Sequence, residues 1–239
     1  MKASLALEEL KAYGKKSRVS DLARFYKTGP GEYAEGDVFL GGTVPQTRSV
    51  ASTFKKLELA EVQKLFNSPF HEARLCAAII LNLQFKAAKS PQDRKKIFDF
   101  YLKQVRAERI NNWDIVDVSA PWMGVYLTEV DDPMPLLIKL STSKSLWQRR
   151  VSIILTFALI RAGDLEPTII ISKRLLKDEQ DLIHKAVGWM LRELGKRDVM
   201  LLRGFLGEHA HQMPRTMLRY AIEKLPERER KKWLIESKS

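Results

Sequence analysis

The chain has 239 residues, 45% of them hydrophobic, so it is long enough to bury a core either as one larger domain or as one repeat array. Its 41 lysines and arginines against 29 acidic residues leave a net charge of +12 and a pI near 9.7, an excess that favours a polyanionic partner. A single cysteine, Cys76 in the apolar run RLCAAIILNL, reads as a small core residue; it excludes a disulfide framework and fits a reducing compartment. The opening MKASLALEELKAYGKKS is charged every few residues, and no apolar run approaches the ~18 residues of a membrane span. These features give the expectation of a cytoplasmic protein without a membrane partner.

Helical periodicity runs through nearly the whole sequence, and no period-two strand stands out, so the chain is predicted to be all-α. An N-terminal helical pair is expected over 4–14 and 17–28. The irregular segment GPGEYAEGDVFLGGTVPQTR follows, its glycines and prolines ending one helix and starting the next, and a connecting loop is placed at 29–44. From Pro45 onward helices follow closely, near 46–55, 58–67, 69–86, 91–108, 112–127, 132–141, 145–162, 165–177, 180–195, 197–209, 214–225 and 227–236. The expected organisation is one domain, 1–239, whose array spans 45–236.

A weak internal repeat runs through that array. ARLCAAIILNL from Ala73, RRVSIILTFAL from Arg149, HKAVGWMLREL from His184 and PRTMLRYAIEKL from Pro214 each begin with polar or basic residues and run into an apolar helix ending near a leucine. Two-helix units of roughly 30–45 residues stack into α-solenoids, because one pair cannot bury its apolar face alone. The predicted fold is therefore an α-solenoid of two-helix repeats with an extended concave face. Arg74, Arg150, Lys185 and Arg215 fall at equivalent points of successive units, either as a phosphate track on that face or as ordinary solvated cations.

The stretch NNWDIVD carries the chemistry most worth explaining. Asn112 suits an N-cap, Asp114 falls in the first turn where the helix dipole favours an anion, and Trp113 and Asp117 lie four apart on one face. Asp117 sits in an otherwise apolar helix, so a carboxylate there needs a partner or a function. One reading pairs it with Arg149 or Arg150; the other sets indole, carboxylate and arginine together in a basic cleft, with Trp189 from the next repeat. Other chemistries lack support. The histidines, His71, His184, His209 and His211, have no ligand-spaced companions for zinc, and the glycine-rich GDVFLGGTVPQTR lacks both the GK[ST] ending and the preceding strand of a nucleotide loop. Neither metal nor cofactor is expected.

Taken together, WDIVD at 113–117, LWQRR at 146–150, HKAVGWMLRE at 184–193, FLGGTVPQTR at 39–48 and RYAIEKL at 219–225 resemble the AlkD-like DNA alkylation repair glycosylases, built of HEAT-like repeats. The resemblance runs from about Asp21 to Leu225, with the motifs in the family's order; it is less clear in the N-terminal helices and at 29–38. It implies a monofunctional glycosylase, without cofactor, that removes N3- and N7-alkylated purines from double-stranded DNA. Carried over residue by residue, Trp113 and Trp189 match the aromatic residues flanking the lesion's deoxyribose, Asp117 matches the catalytic carboxylate, and Arg150 matches the phosphate-binding arginine. Arg149, Lys185, Arg74, Arg48 and Arg215 complete the expected DNA-binding set. The reading includes a monomer in a bacterial cytoplasm, associated with the nucleoid through DNA. Its rival is a catalytically silent HEAT-like scaffold that binds DNA through the same basic face.

Overall fold

The computed structural model describes residues 1–236, so the last three residues of the expected domain, 237–239, lie outside the described residues. Among the described residues there are fourteen α-helices and two short 3-10 helices, with a single isolated parallel bridge between Val38 and Phe70. No helix is long and apolar enough to cross a membrane. The chain divides into two compact units, 1–119 and 120–239.

The first unit is organised around α5. Its helices are α1 (Ala3–Ala12), α2 (Lys16–Phe25), α3 (Val44–Thr53), α4 (Leu59–Phe66), α5 (His71–Ala87), α6 (Pro91–Arg106) and the first turns of α7 (Trp113–Met123). A helix apolar on every side has to be surrounded. From Ala73 to Asn82 every residue of α5 is buried, and α1, α3, α4 and α6 pack against it. Each Leu or Ile buried there contributes roughly 1.5–3 kcal/mol. Helix starts follow local rules: Thr43 and Gln46 form a capping box at α3 with Pro45 just inside, and the Ser90 hydroxyl accepts from the Asp93 amide at α6, where Pro91 follows. The α1 terminus is tied down by the Ala3 amide donating to Glu61 at 2.8 Å.

The second unit contains a 3-10 helix (Gly124–Glu129), α8 (Met134–Ser141), α9 (Leu146–Ala162), α10 (Glu166–Leu175), α11 (Asp181–Arg197), α12 (Val199–His209), a 3-10 turn (Ala210–Gln212), α13 (Arg215–Ala221) and α14 (Glu227–Glu236). Here α9 and α11 are the buried pair: α8, α10 and α11 pack on α9, and α12 and α13 on α11. The helices that begin at Leu146, Asp181 and Arg215 start 35 and 34 residues apart (181 − 146 and 215 − 181), a near-constant step of the kind that stacked two-helix units make. Gly163, at φ +94°, ends α9 in the left-handed conformation. At Gly188 a Cβ would lie 2.5 Å from both the Met217 carbonyl oxygen and the Tyr220 Cβ, so glycine sets how closely α11 meets α13.

Sequence and structure part company in two helices. The helix expected over 112–127 ends at Met123 and tightens into a 3-10 helix. Pro121 lacks the backbone N–H that would continue the ladder, and at Gly124 a Cβ would meet the Leu155 carbonyl oxygen at 2.3 Å, so the chain tightens where it crosses α9. The helix expected over 214–225 closes at Ala221 and finishes in turns that still bury Leu225.

Candidate active site

Two of the expected site residues stand one turn apart near the start of α7. Trp113 and Asp117 are both half-buried, neither sunk into the core nor fully exposed. Tyr101 is wholly buried, and its phenol is pushed up chiefly by burial, with the Ser119 hydroxyl drawing it down and the Asp117 charge adding to the rise. The Ser119 hydroxyl lies 2.6 Å from the Ile115 carbonyl and 3.4 Å from the Tyr101 hydroxyl. Helix α7 is docked on α5 by Asn82, whose amide donates to the Val118 carbonyl at 2.7 Å.

The start of α7 is held by a polar cluster that the sequence did not reveal. Asn112 accepts from the Trp113 amide at 2.8 Å and donates to Asp37 at 3.3 Å. Asp114 accepts from the Ile115 amide, the Tyr26 hydroxyl and His71 Nε2, at 2.8, 2.9 and 2.9 Å. His71 Nδ1 reaches Asp37 at 2.9 Å. The guanidinium of Arg74 completes the ring: it pairs with Asp37 and donates to Asn111 at 3.2 Å and to the Ser68 and Pro69 carbonyls at 3.0 and 2.9 Å. Burial pulls the His71 imidazole down, but the Asp114 and Asp37 charges and hydrogen bonds outweigh it and raise the pKa to about 9. Burial likewise pushes Asp37 up, and His71 and Arg74 more than offset this, holding the carboxyl below its ordinary range. Tyr26 is pushed well above the usual phenol range by burial and by Asp114.

Aromatic rings continue the cluster outward to Trp113. The indole stacks on Tyr26 at 5.5 Å and 20°, and Phe25, 63% exposed, meets it edge-on at 6.0 Å. Behind Tyr26, Phe39 stacks on His71 at 4.7 Å. Phe39 arrives there because Glu72, itself buried, accepts the amides of Leu40, Gly41 and Gly42 at 2.9, 2.9 and 3.2 Å. The only hints of these roles in sequence were the HEAR spacing at 71–74, which puts His71 and Arg74 on one side of a helix, and the acidic neighbour of Trp113.

The remaining expected residues lie in the second unit, apart from Arg48, which is exposed on α3. Arg150 is buried, with a guanidinium nitrogen on the Leu182 carbonyl of α11. Arg149 is turned onto Asp178, with Nε 2.6 Å from the carboxylate and Nη1 on the Ser143 and Lys144 carbonyls at 3.0 and 2.9 Å. Lys185 pairs with Asp181 at 2.7 Å, one turn back on α11. Trp189 is half-buried, its indole N–H donating to Glu193 at 3.3 Å and its ring 6.0 Å from Phe157. Arg215 is exposed and donates to the Leu234 carbonyl at 2.7 Å. Among the described residues no group of histidine, cysteine and carboxylate side chains could hold a metal ion.

A helical-repeat protein with an indole and a carboxylate one turn apart, and with a basic surplus elsewhere, is a class with known relatives. Residues 6–225 match the family described as DNA alkylation repair enzyme, and the chain belongs to that family. Among solved structures it is similar to one described as a predicted DNA alkylation repair enzyme from Enterococcus faecalis, at 16% identity over 90% of this chain and 97% of that one, with a TM-score of 0.70. It is also similar to a protein of a family related to the HEAT-like repeat DNA glycosylases with affinity for branched DNA structures. That match has 16% identity over 89% and 83% of the two chains and a TM-score of 0.56. The fold is thus the HEAT-like one. Comparison with curated protein sequences gives no significant match.

Proposed function

We propose that the protein is a DNA glycosylase that hydrolyses the N-glycosidic bond of cationic N3- and N7-alkylated purines in double-stranded DNA. The observation that carries this reading is the placement of Trp113 and Asp117 one turn apart, both part-exposed, in a chain of the DNA alkylation repair family. A cationic purine is already a good leaving group, so no general acid is required. Breaking its bond to the sugar builds positive charge on the sugar, which a carboxylate stabilises. At about 4 Å and an effective dielectric near 20 the gross attraction is roughly 4 kcal/mol, or about three decades in rate. Asp117 supplies that charge and orients the attacking water. In this reading the indole faces of Trp113 and Trp189 each contribute cation–π stabilisation of about 0.5–2 kcal/mol.

Phosphate binding falls to Lys185, Arg48 and Arg215 in this reading, and to Arg150 once its buried guanidinium turns from the Leu182 carbonyl to meet a phosphate. Arg74 and Arg149 are committed to Asp37 and Asp178 and to backbone carbonyls inside their own units, so we assign them to stability instead. The protein acts as a monomer and requires no cofactor. Incubation with duplex DNA carrying N7-methylguanine or N3-methyladenine, with free base followed by chromatography, tests the reading. Wild type is expected to release base, and Asp117→Asn to release none while binding duplex within a few fold. Arg150→Ala is expected to weaken duplex binding and lower the salt slope by about one unit. Tight, salt-sensitive duplex binding without base release by the wild type supports the silent scaffold instead.

A further inference from the structure

Four charged groups meet beneath the first turn of α7, and the chemistry proposed for Asp117 uses none of them. A neutral imidazole carries one N–H, yet both ring nitrogens of His71 lie 2.9 Å from carboxylate oxygens, of Asp37 on one side and Asp114 on the other. With both carboxyls ionised each nitrogen donates, and His71 is an imidazolium. With Arg74 on Asp37, two cations face two anions and the cluster is neutral, with every one of those side chains nearly out of water. Asp114 Oδ2 is shared between His71 and the Tyr26 hydroxyl. The Tyr26 ring, 4.8 Å from the imidazole, is the surface on which the Trp113 indole lies.

We propose that His71 is a positioning residue for Trp113: bridging Asp37 and Asp114, it fixes the Tyr26 hydroxyl and thereby the ring that sets the orientation of the indole. The consequence for catalysis rests on the reading above, in which that indole faces the sugar of the lesion nucleotide. If the imidazolium loses its proton, one carboxylate meets a lone pair at 2.9 Å instead of an N–H, and the bracing of Tyr26 relaxes. The groups facing His71 are Asp37 from the loop, Asp114 from α7, the Tyr26 hydroxyl beyond the end of α2, and Glu72 and Arg74 from α5 itself. Against the pull of burial, the charges and hydrogen bonds of Asp114 and Asp37 hold the proton on His71 to about pH 9, so the brace is intact throughout the neutral range.

The coupling can be read in the free protein, with neither DNA nor turnover. Heteronuclear NMR on protein with 15N-labelled histidine and tryptophan follows the His71 imidazole and the Trp113 indole N–H from pH 6 to 10; the indole peak is assigned by its loss in Trp113→Phe. The indole is expected to shift with the midpoint of His71 and to stay flat over that range in His71→Gln. A flat indole in the wild type overturns the proposal. Single-turnover base release at pH 7 supplies the second arm. His71→Gln is expected to slow release about tenfold with duplex affinity within threefold, and to cost less than twofold when added to Trp113→Phe. Equal factors in the two backgrounds overturn the proposal. Should His71→Gln not fold, Tyr26→Phe removes only the shared hydroxyl, with about threefold slowing and the same lack of additivity expected. A wild type that releases no base refutes the glycosylase reading alone, because the NMR titration still decides whether His71 positions Trp113.

Discussion

Glu72 offers the sharpest test of how the loop before α3 is held against the site. Its carboxylate is nearly buried and accepts three consecutive backbone amides, Leu40 on one oxygen and Gly41 and Gly42 on the other. In Glu72→Gln the amide oxygen can keep the two glycine bonds, but its NH2 then faces the Leu40 N–H, donor against donor. One charge-assisted bond is lost, at about 1.5–3 kcal/mol, and the surviving two drop to roughly half strength as the charge disappears. The expected loss is about 3–6 kcal/mol, with Glu72→Ala at the upper end because all three amides are then stranded. The loop has little room to adapt. Gly41 sits at φ +89° with the Lys15 carbonyl where a Cβ would be, and its own carbonyl accepts from Arg18 at 3.3 Å. For a chain of this size each kcal/mol lowers the melting temperature by about 2–4 °C, so thermal melts should fall by roughly 6–24 °C. Urea titrations followed by circular dichroism give the free energy directly. A loss below about 1 kcal/mol in Glu72→Gln, at unchanged denaturant slope, would refute the argument that this carboxylate carries the loop.

In the second unit, Gly188→Ala places a methyl 2.5 Å from the Met217 carbonyl oxygen and the Tyr220 Cβ; calorimetry should show a destabilisation of about 1–3 kcal/mol, against a stabilisation or a change within about 1 for the unobstructed Gly204→Ala. The pH dependence has two limbs. His71, raised from 6.5 to about 9, contributes stability that is fully present below pH 6.5 and is lost as pH rises through 9, whereas Asp37, held below 3.8, contributes stability present above pH 3.8 and lost as pH falls beneath it. Urea midpoints measured from pH 3 to 10 should therefore decline at both ends, and the alkaline decline should shrink in His71→Gln. Cys76 is fully buried and its thiol is pushed up to about 12, so it should react with a disulfide reagent at pH 8 only as fast as the protein opens; immediate labelling of native protein would contradict this placement.

The order of helices was legible because apolar spacing is a local property, and the repeat showed in the four apolar helices that end near a leucine. The break in α7 was less so. Periodicity continues through VSAPWMGVYL, and only the backbone consequences of Pro121 and the Leu155 carbonyl against Gly124 stop the helix. Trp113 and Asp117 could be singled out because a carboxylate in an apolar helix is conspicuous. His71 could not, since its partners stand 34 and 43 positions away, and Tyr26 reaches Asp114 across 88. Nor does sequence distinguish an arginine facing solvent from one turned inward: Arg74 and Arg149 look like Arg48 until their carboxylates come into view. By position Asp114 is a first-turn anion for the helix dipole, and it meets the Ile115 amide as such, but most of its bonding is to side chains from distant segments.

The neutral cluster of Asp37, His71, Arg74 and Asp114 also constrains how such a sequence can drift. Replacing one member alone leaves an uncompensated charge out of water, a loss of several kcal/mol that a protein of ordinary stability scarcely tolerates. Exchanges of opposite sign made together keep the balance. Descent through this region is therefore expected to move in paired steps, a histidine lost at 71 alongside a neutral residue at 37 or 114. These four positions should thus vary as a block even where the intervening helices diverge freely.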